Sequence, residues 1–228
     1  MPENCPLLAW DTSTAEGVVC LGTGATPAGS ARFRTVKGHA GWLMPLIDSV
    51  LKAQATAPRD LRALAAGIGP GGYTGVKVGV ATAKALALAL DLPLVGVPTL
   101  DLVAAHAPAG VQAVLACLDA RQGLLYTAGY DVTGKVPARK SEMACLTPQD
   151  AAGLAAGLFQ GPVNVVGFAP PALIDALAAL GLDAAVAAIP EPGFPGAATL
   201  LAAAAGMLER NEAGDAFSVV PIYLKKPV

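Results

Sequence analysis

Charge is what this chain has least of. Only 14% of its 228 residues are Asp, Glu, Lys or Arg, against about 25% in an average soluble domain, so the surface is thinly charged and favours a partner. Fifteen basic residues oppose seventeen acidic ones, a formal charge of −2, which offers no cationic field to a phosphate backbone and disfavours autonomous nucleic-acid binding. Aromatic residues make up 5%, and no stretch interleaves them with basic residues as a single-stranded RNA surface would. The four cysteines, Cys5, Cys20, Cys117 and Cys145, form no CxxC pair; they read as small buried hydrophobes in a reducing compartment rather than as disulfides or metal ligands. Neither histidine, His39 or His106, has a second ligand at i+4, which favours capping or core roles over metal binding. Long apolar runs are also missing. The composition is 54% hydrophobic, yet each stretch is broken by a charge, Gly or Pro before the roughly 18 residues of a membrane span. The start, Met1-Pro2-Glu3-Asn4, has no basic region ahead of an apolar run, so no secretory signal and a cytoplasmic location are expected.

What is present is a duplicated pattern. Short apolar runs at 6–11 and 16–22 flank Thr12-Ser13-Thr14 as a hairpin, and 28–36 alternates as a third strand. Helical spacing over 39–54 is followed by a strand at 63–68, a glycine-rich turn, a helix over 75–90, a strand at 94–97 and a short helix to 107. The order βββαβαβα then recurs: strands at 111–118, 123–130 and near 135–145, helix 148–158, strand 163–167, helix 170–181, strand 185–189 and helix 196–210. This predicts an α/β fold of two lobes, residues 1–104 with a C-terminal return at 218–228, and residues 105–217. Asp11 and Asp119 end the first strand of each copy, facing an interlobe cleft. The pair could hold a magnesium ion or simply cap two hairpin turns, and the letters slightly favour caps.

The densest motif is Gly67 to Gly79. Gly67, Gly69 and Gly72 match GxGxxG, with Asp91 at the distance of a ribose-binding acid, but three strands and a helix precede it, unlike a dinucleotide fold. No Gly-Lys-Ser/Thr follows to make a P-loop. Crowded backbone N–H groups at a helix N-terminus suit an anion, whereas glycines also suit a close-packed turn, and both readings stand. The helix over 75–90 is apolar nearly all round, apart from a stripe bearing Lys77 and Lys84, so more than its own sheet should cover it. No Ser/His/Asp or Cys/His arrangement assembles at a recognisable spacing.

Asp11-Thr12-Ser13, His39 with Leu43, Pro45, Leu46 and Ile47, the run Gly69 to Gly79, and Leu92 to Leu100 together resemble the TsaB (YeaZ) family. Asp119-Ala120-Arg121 with Gly123, and Pro221 to Lys225, extend the likeness more thinly. The resemblance implies the actin/Hsp70/sugar-kinase-like (ASKHA, ribonuclease H-like) fold. It implies a non-catalytic subunit that supports threonylcarbamoyl transfer to the adenosine beside the anticodon of tRNA, performed by a TsaD-family paralogue. Positions matching that paralogue's metal-binding histidines are Thr99 and Val103, so no catalytic residue and no metal are expected. Candidate nucleotide or anion contacts are Asp11, Thr12, Gly71, Gly72, Tyr73, Thr74 and Lys77. Lys77 stands where Arg is usual and cannot reproduce a bidentate contact. Candidate partner-interface residues are His39, Leu43, Leu46, Val78, Ala81, Lys84 and Ala85. The implied partners are the paralogue as a heterodimer and a TsaE-family ATPase, with tRNA met only through the complex, any ATP or ADP bound by that complex, a homodimer when alone, and no membrane. The competing expectation is a free-standing ATP-dependent kinase of the same fold.

Overall fold

A computed structural model describes residues 6–34, 39–187, 189 and 196–225, with the side chains of residues 39 and 40 outside that set. In the first repeat, β1 (Leu7–Asp11), β2 (Glu16–Thr23) and β3 (Thr26–Arg34) form an antiparallel meander. After α1 (His39–Ala53), β4 (Ala63–Gly67) adds parallel to β1; after α2 (Tyr73–Leu90), β5 (Leu94–Val97) adds parallel to β4. The resulting sheet has the order β3-β2-β1-β4-β5. Every residue of β1 and β4 is buried, which explains why these segments read as unbroken apolar runs: strands covered on both faces do not alternate. The edge strand β3 does alternate between exposed and half-buried positions. Its Phe33 pairs across to Gly17 and lies over it, occupying the space of a Cβ there.

The second repeat reproduces this plan. β6 (Ala113–Asp119) pairs antiparallel with β7 (Leu125–Asp131), and β7 pairs with β8 (Ala138–Arg139) and β9 (Ala144–Leu146). The single strand expected near 135–145 is thus two short ones. After α4 (Pro148–Leu158), β10 (Val163–Gly167) lies parallel to β6; after α5 (Pro171–Ala179), β11 (Ala184–Ala187) lies parallel to β10. The path β11-β10-β6-β7-β8 is the first sheet's order repeated. Thr147 caps α4 by accepting the Asp150 N–H at 3.1 Å, with Pro148 in the first turn.

The lobe boundaries differ from the expected 1–104 and 105–217. The compact units are Met1–Thr99 with Pro195–Tyr223, and Leu100–Phe194 with Leu224–Val228. The last helix of each repeat therefore joins the other repeat's unit. In α3 (Thr99–Ala104), Leu100, Val103 and Ala104 pack with Val114, Ala116 and Val166 of the second sheet. In α6 (Ala197–Glu209), Leu200, Leu201 and Ala204 are buried, and the helix packs on β1, β2, β3 and β5. Each such leucine or valine contributes about 1.5–3 kcal/mol on burial, so helix assignment follows the sheet that needs covering, not chain order. The expected return of the tail to the first unit is seen up to Tyr223, where Gly214 pairs with Leu94 and Val219 enters the core. Leu224 packs in the second core instead.

Helix α2 is the one described helix long and apolar enough, by length and composition, to cross a membrane. Its Gly75, Val76, Gly79, Val80, Ala83 and Ala87 are buried against β4, β1 and β5. Asp91 ends it in the left-handed conformation at φ 52°, donating its N–H to the Ala87 carbonyl. The acid found twenty residues beyond the glycine run is thus a C-cap, a role that short polar residues fill well.

Candidate functional site

The glycine run and the Asp11-Thr12-Ser13 turn meet in the first unit. Asp11 ends the central strand β1 beside Gly67, the last residue of the parallel neighbour β4, and its carboxyl group fills the space that a Cβ at Gly67 would need. Gly71 lies against the Ser13 carbonyl and Gly79 against the Thr12 hydroxyl, each again without room for a side chain. Close approach lets polar bonds form. The Gly72 N–H donates to the Ser13 carbonyl at 2.7 Å. The Thr12 hydroxyl donates to the Gly75 carbonyl at 2.7 Å, and Trp10 Nε1 to the Gly79 carbonyl at 3.1 Å. Glycines 67, 71 and 79 are therefore explained by packing, the turn-geometry side of the sequence reading.

Asp11 is fully buried. Its Oδ1 accepts the Ser13 N–H at 2.6 Å and its Oδ2 the Thr99 hydroxyl at 3.0 Å, while Thr99 Oγ1 also lies 3.0 Å from Ser13 Oγ. Burial pushes the Asp11 carboxyl above its ordinary range, opposed by the bonds from Ser13 and Thr99. A solvent-inaccessible carboxylate whose oxygens are both engaged is a poor ligand for a hydrated magnesium ion, which keeps several waters. Among the described residues, no group of three or more His, Cys, Asp or Glu is placed to hold a metal. Thr99, one of the two positions matched to metal ligands, is committed to this network. Val103, the other, is buried hydrocarbon in the second core.

Asp119 makes the same local turn in the second repeat: its Oδ1 accepts the Arg121 N–H at 2.8 Å. Its side chain is 35% exposed and pairs with Arg121 at 3.1 Å. Both Asp residues thus cap hairpin turns, the role the letters slightly favoured. Residues Arg121, Gln122 and Gly123 are consecutively left-handed, with φ of 64°, 57° and 75°, which no feature of Asp-Ala-Arg predicts.

The other anion-contact candidates, Gly72, Tyr73, Thr74 and Lys77, are exposed at the start of α2. Tyr73 packs against Tyr223 of the tail with ring centroids 5.1 Å apart, and Lys77 Nζ lies 5.8 Å from the Tyr73 ring centroid. Of the interface candidates, Ala81 and Ala85 are exposed, while Leu46, Val78 and Lys84 are half-buried. The side chain of His39 lies outside the described residues. Leu43 is a correction: it is 1% exposed and packs in the core with Ile47, Val50 and Leu51, because the inner stripe of α1 repeats as 43, 47, 50 and 51. Trp42, absent from the interface candidates, points outward at 59% exposure, and Met44 at 46%. Leu88 of α2, 58% exposed, was also missed as a surface residue. The signal for both was angular: each large apolar side chain falls off its helix's inner stripe.

Comparison with known proteins agrees with this picture. The family model TsaD, tRNA N6-adenosine threonylcarbamoyltransferase, matches residues 33–209. The tRNA threonylcarbamoyladenosine biosynthesis protein TsaB of Escherichia coli is 37% identical over 127 residues, 54% of this chain and 54% of that protein; the match thus spans about half of that relative's length. An uncharacterized protein of Mycobacterium tuberculosis is 31% identical over 193 residues, 84% of this chain and 77% of its own. The solved structure of YeaZ from Pseudomonas aeruginosa, 26% identical, superposes with a TM-score of 0.79 over 96% of this chain and 100% of that one. The repeated sheet order is that of the actin/Hsp70/sugar-kinase-like fold, and the chain belongs to the TsaB (YeaZ) family.

Proposed function

We propose that this chain is a cytoplasmic, non-catalytic subunit that enables a TsaD-family paralogue to transfer a threonylcarbamoyl group to the adenosine beside the anticodon of tRNA. The observation that carries the reading is the outer face of α2, where Val78, Ala81, Ala85 and Leu88 form an apolar seam left exposed or half-exposed, next to α1 with its exposed Trp42 and Met44. Apolar surface gathered on one helix pair favours a protein partner. The match of the TsaD model to this chain supports a paralogue that presents similar helices, so that four pack together, the small residues allowing close approach.

The Asp11 node supports the non-catalytic half of the proposal. A catalytic carboxylate needs a reacting atom within about 3 Å, and Asp11 has its oxygens committed to Ser13 and Thr99 with no exposure to substrate. In this reading the chain holds no cofactor of its own, ATP or ADP is bound by the assembled complex together with a TsaE-family ATPase, and tRNA is met through the complex. The formal charge of −2 supports that last point. The test is capture of the purified paralogue by the wild-type chain and by Ala85→Arg, with circular dichroism reporting the fold. Loss of capture with the fold intact is expected; undiminished capture would place the interface elsewhere.

A further inference from the structure

The exposed face of α2 carries charge as well as apolar surface, and the two are segregated. Thr74, Val78, Ala81, Ala85 and Leu88 recur at spacings of four and three, the pattern of a two-helix seam. At about 100° per residue they span an arc roughly 80° wide. Lys77 and Lys84 both fall beside that arc on the same flank, each one residue before a seam position, where flanking charges of paired helices sit. No acidic residue occurs anywhere in α2. Among the described ion pairs none involves either lysine, and the recorded neighbour of Lys77 is the Tyr73 ring. By contrast, Lys52 of α1 is neutralised within its own helix by Asp48 at 2.7 Å.

Resting on the docking role just proposed, we infer that Lys77 and Lys84 select the occupant of this seam: a helix of the paralogue that carries Asp or Glu along the flank facing them. Two like charges with no counter-ion among the described residues, beside an apolar seam, favour an acidic partner and penalise a lysine-bearing one. A second copy of this chain, laid antiparallel along α2, sets Lys77 and Lys84 against Lys84 and Lys77, so charge disfavours that homodimer. Flanking charges of this kind fix partner choice more than total affinity. They act within about 10 Å at 0.1 M salt and are screened above it.

The experiment is calorimetric titration of the paralogue into wild-type chain, Lys77→Glu/Lys84→Glu and Ala85→Arg, at 50 mM and 500 mM salt on the order of the regimes where screening is weak and strong. Wild-type affinity is expected to fall as salt rises. The double reversal is expected to bind about tenfold more weakly at low salt, two exposed pairs having been turned from attraction to repulsion, and to converge on the wild type at high salt. Wild-type affinity and salt dependence in the double variant, with Ala85→Arg still abolishing binding, would overturn the charge inference alone. Unimpaired binding by Ala85→Arg would instead overturn the docking surface beneath it. Sedimentation of the wild-type chain as a tight dimer that ignores the paralogue would overturn the occupant. Both lysines are surface residues outside the core, and unchanged thermal midpoints should accompany the binding effects.

Discussion

Replacing Gly71 by Ala isolates what the glycine-rich run is for. A methyl group at this position meets the Ser13 carbonyl and Cβ, and the obstacle is backbone, so the turn must move. Movement breaks the 2.7 Å bond from the Gly72 N–H to Ser13, worth about 1 kcal/mol. It also disturbs Ser13 as the donor to Asp11 and neighbour of Thr99, where a buried polar group left unpaired costs about 1–3 kcal/mol. Together with about 1–3 kcal/mol of overpacking, the loss comes to about 3–7 kcal/mol, a large share of a typical stability of roughly 5–15 kcal/mol. The control is Gly153→Ala in α4, where nothing lies within 4 Å of the added Cβ. There the same chemical change relieves only the backbone entropy of glycine in a helix and should stabilise by about 0.5–1 kcal/mol. Thermal melts read both: a fall of about 6–28 °C for Gly71→Ala and a rise of a few degrees for Gly153→Ala. A Gly71→Ala chain as stable as the wild type would refute the packing role and return the run to the anion-binding reading.

Asp11→Asn tests the buried carboxyl by pH. Because burial raises the folded-state pKa of Asp11 against the opposing bonds, its contribution is fully present below the unfolded value and is lost as pH rises through the folded one. The variant should therefore gain stability relative to wild type as pH rises above the ordinary carboxylate value of about 4, read as the difference in urea midpoints; a constant difference would contradict the assignment. For Ala85→Arg, holding the helices apart and stranding a charge at a dry interface should cost about 2–4 kcal/mol of association, measured as the change in paralogue affinity.

Much of the fold was legible in the sequence because the patterns are local. The boundaries of α4 and β10 were read as 148–158 and 163–167, the spans observed, since Thr147-Pro148 marks one start and Gly161-Pro162 and Gly167 bracket a short apolar run. The destinations of α3 and α6 were not legible. Periodicity says that each helix has an apolar stripe, not which sheet receives it, and both cross to the other unit. At the site, Asp11 and the glycines were identified but their mutual packing was not, because Gly71 against Ser13 and Gly79 against Thr12 are long-range contacts. Leu43 was assigned to the partner interface and the exposed Trp42 was not, because helical spacing alone does not say which stripe turns inward, and adjacent helical residues diverge by about 100°. The left-handed turn at Arg121 and Gln122 had no glycine to announce it at those two positions.

The most direct measurement is an omission assay of threonylcarbamoyl transfer to tRNA, reconstituted from this chain, the paralogue, the TsaE-family ATPase and the adenylate-forming enzyme with threonine, bicarbonate and ATP. Transfer is expected when this chain and the paralogue are both present, to drop when either is left out, and to be negligible with this chain as the sole transfer subunit. Robust transfer or ATP turnover by this chain without the paralogue, abolished by Asp11→Ala, would contradict a non-catalytic subunit and make Asp11 a catalytic residue.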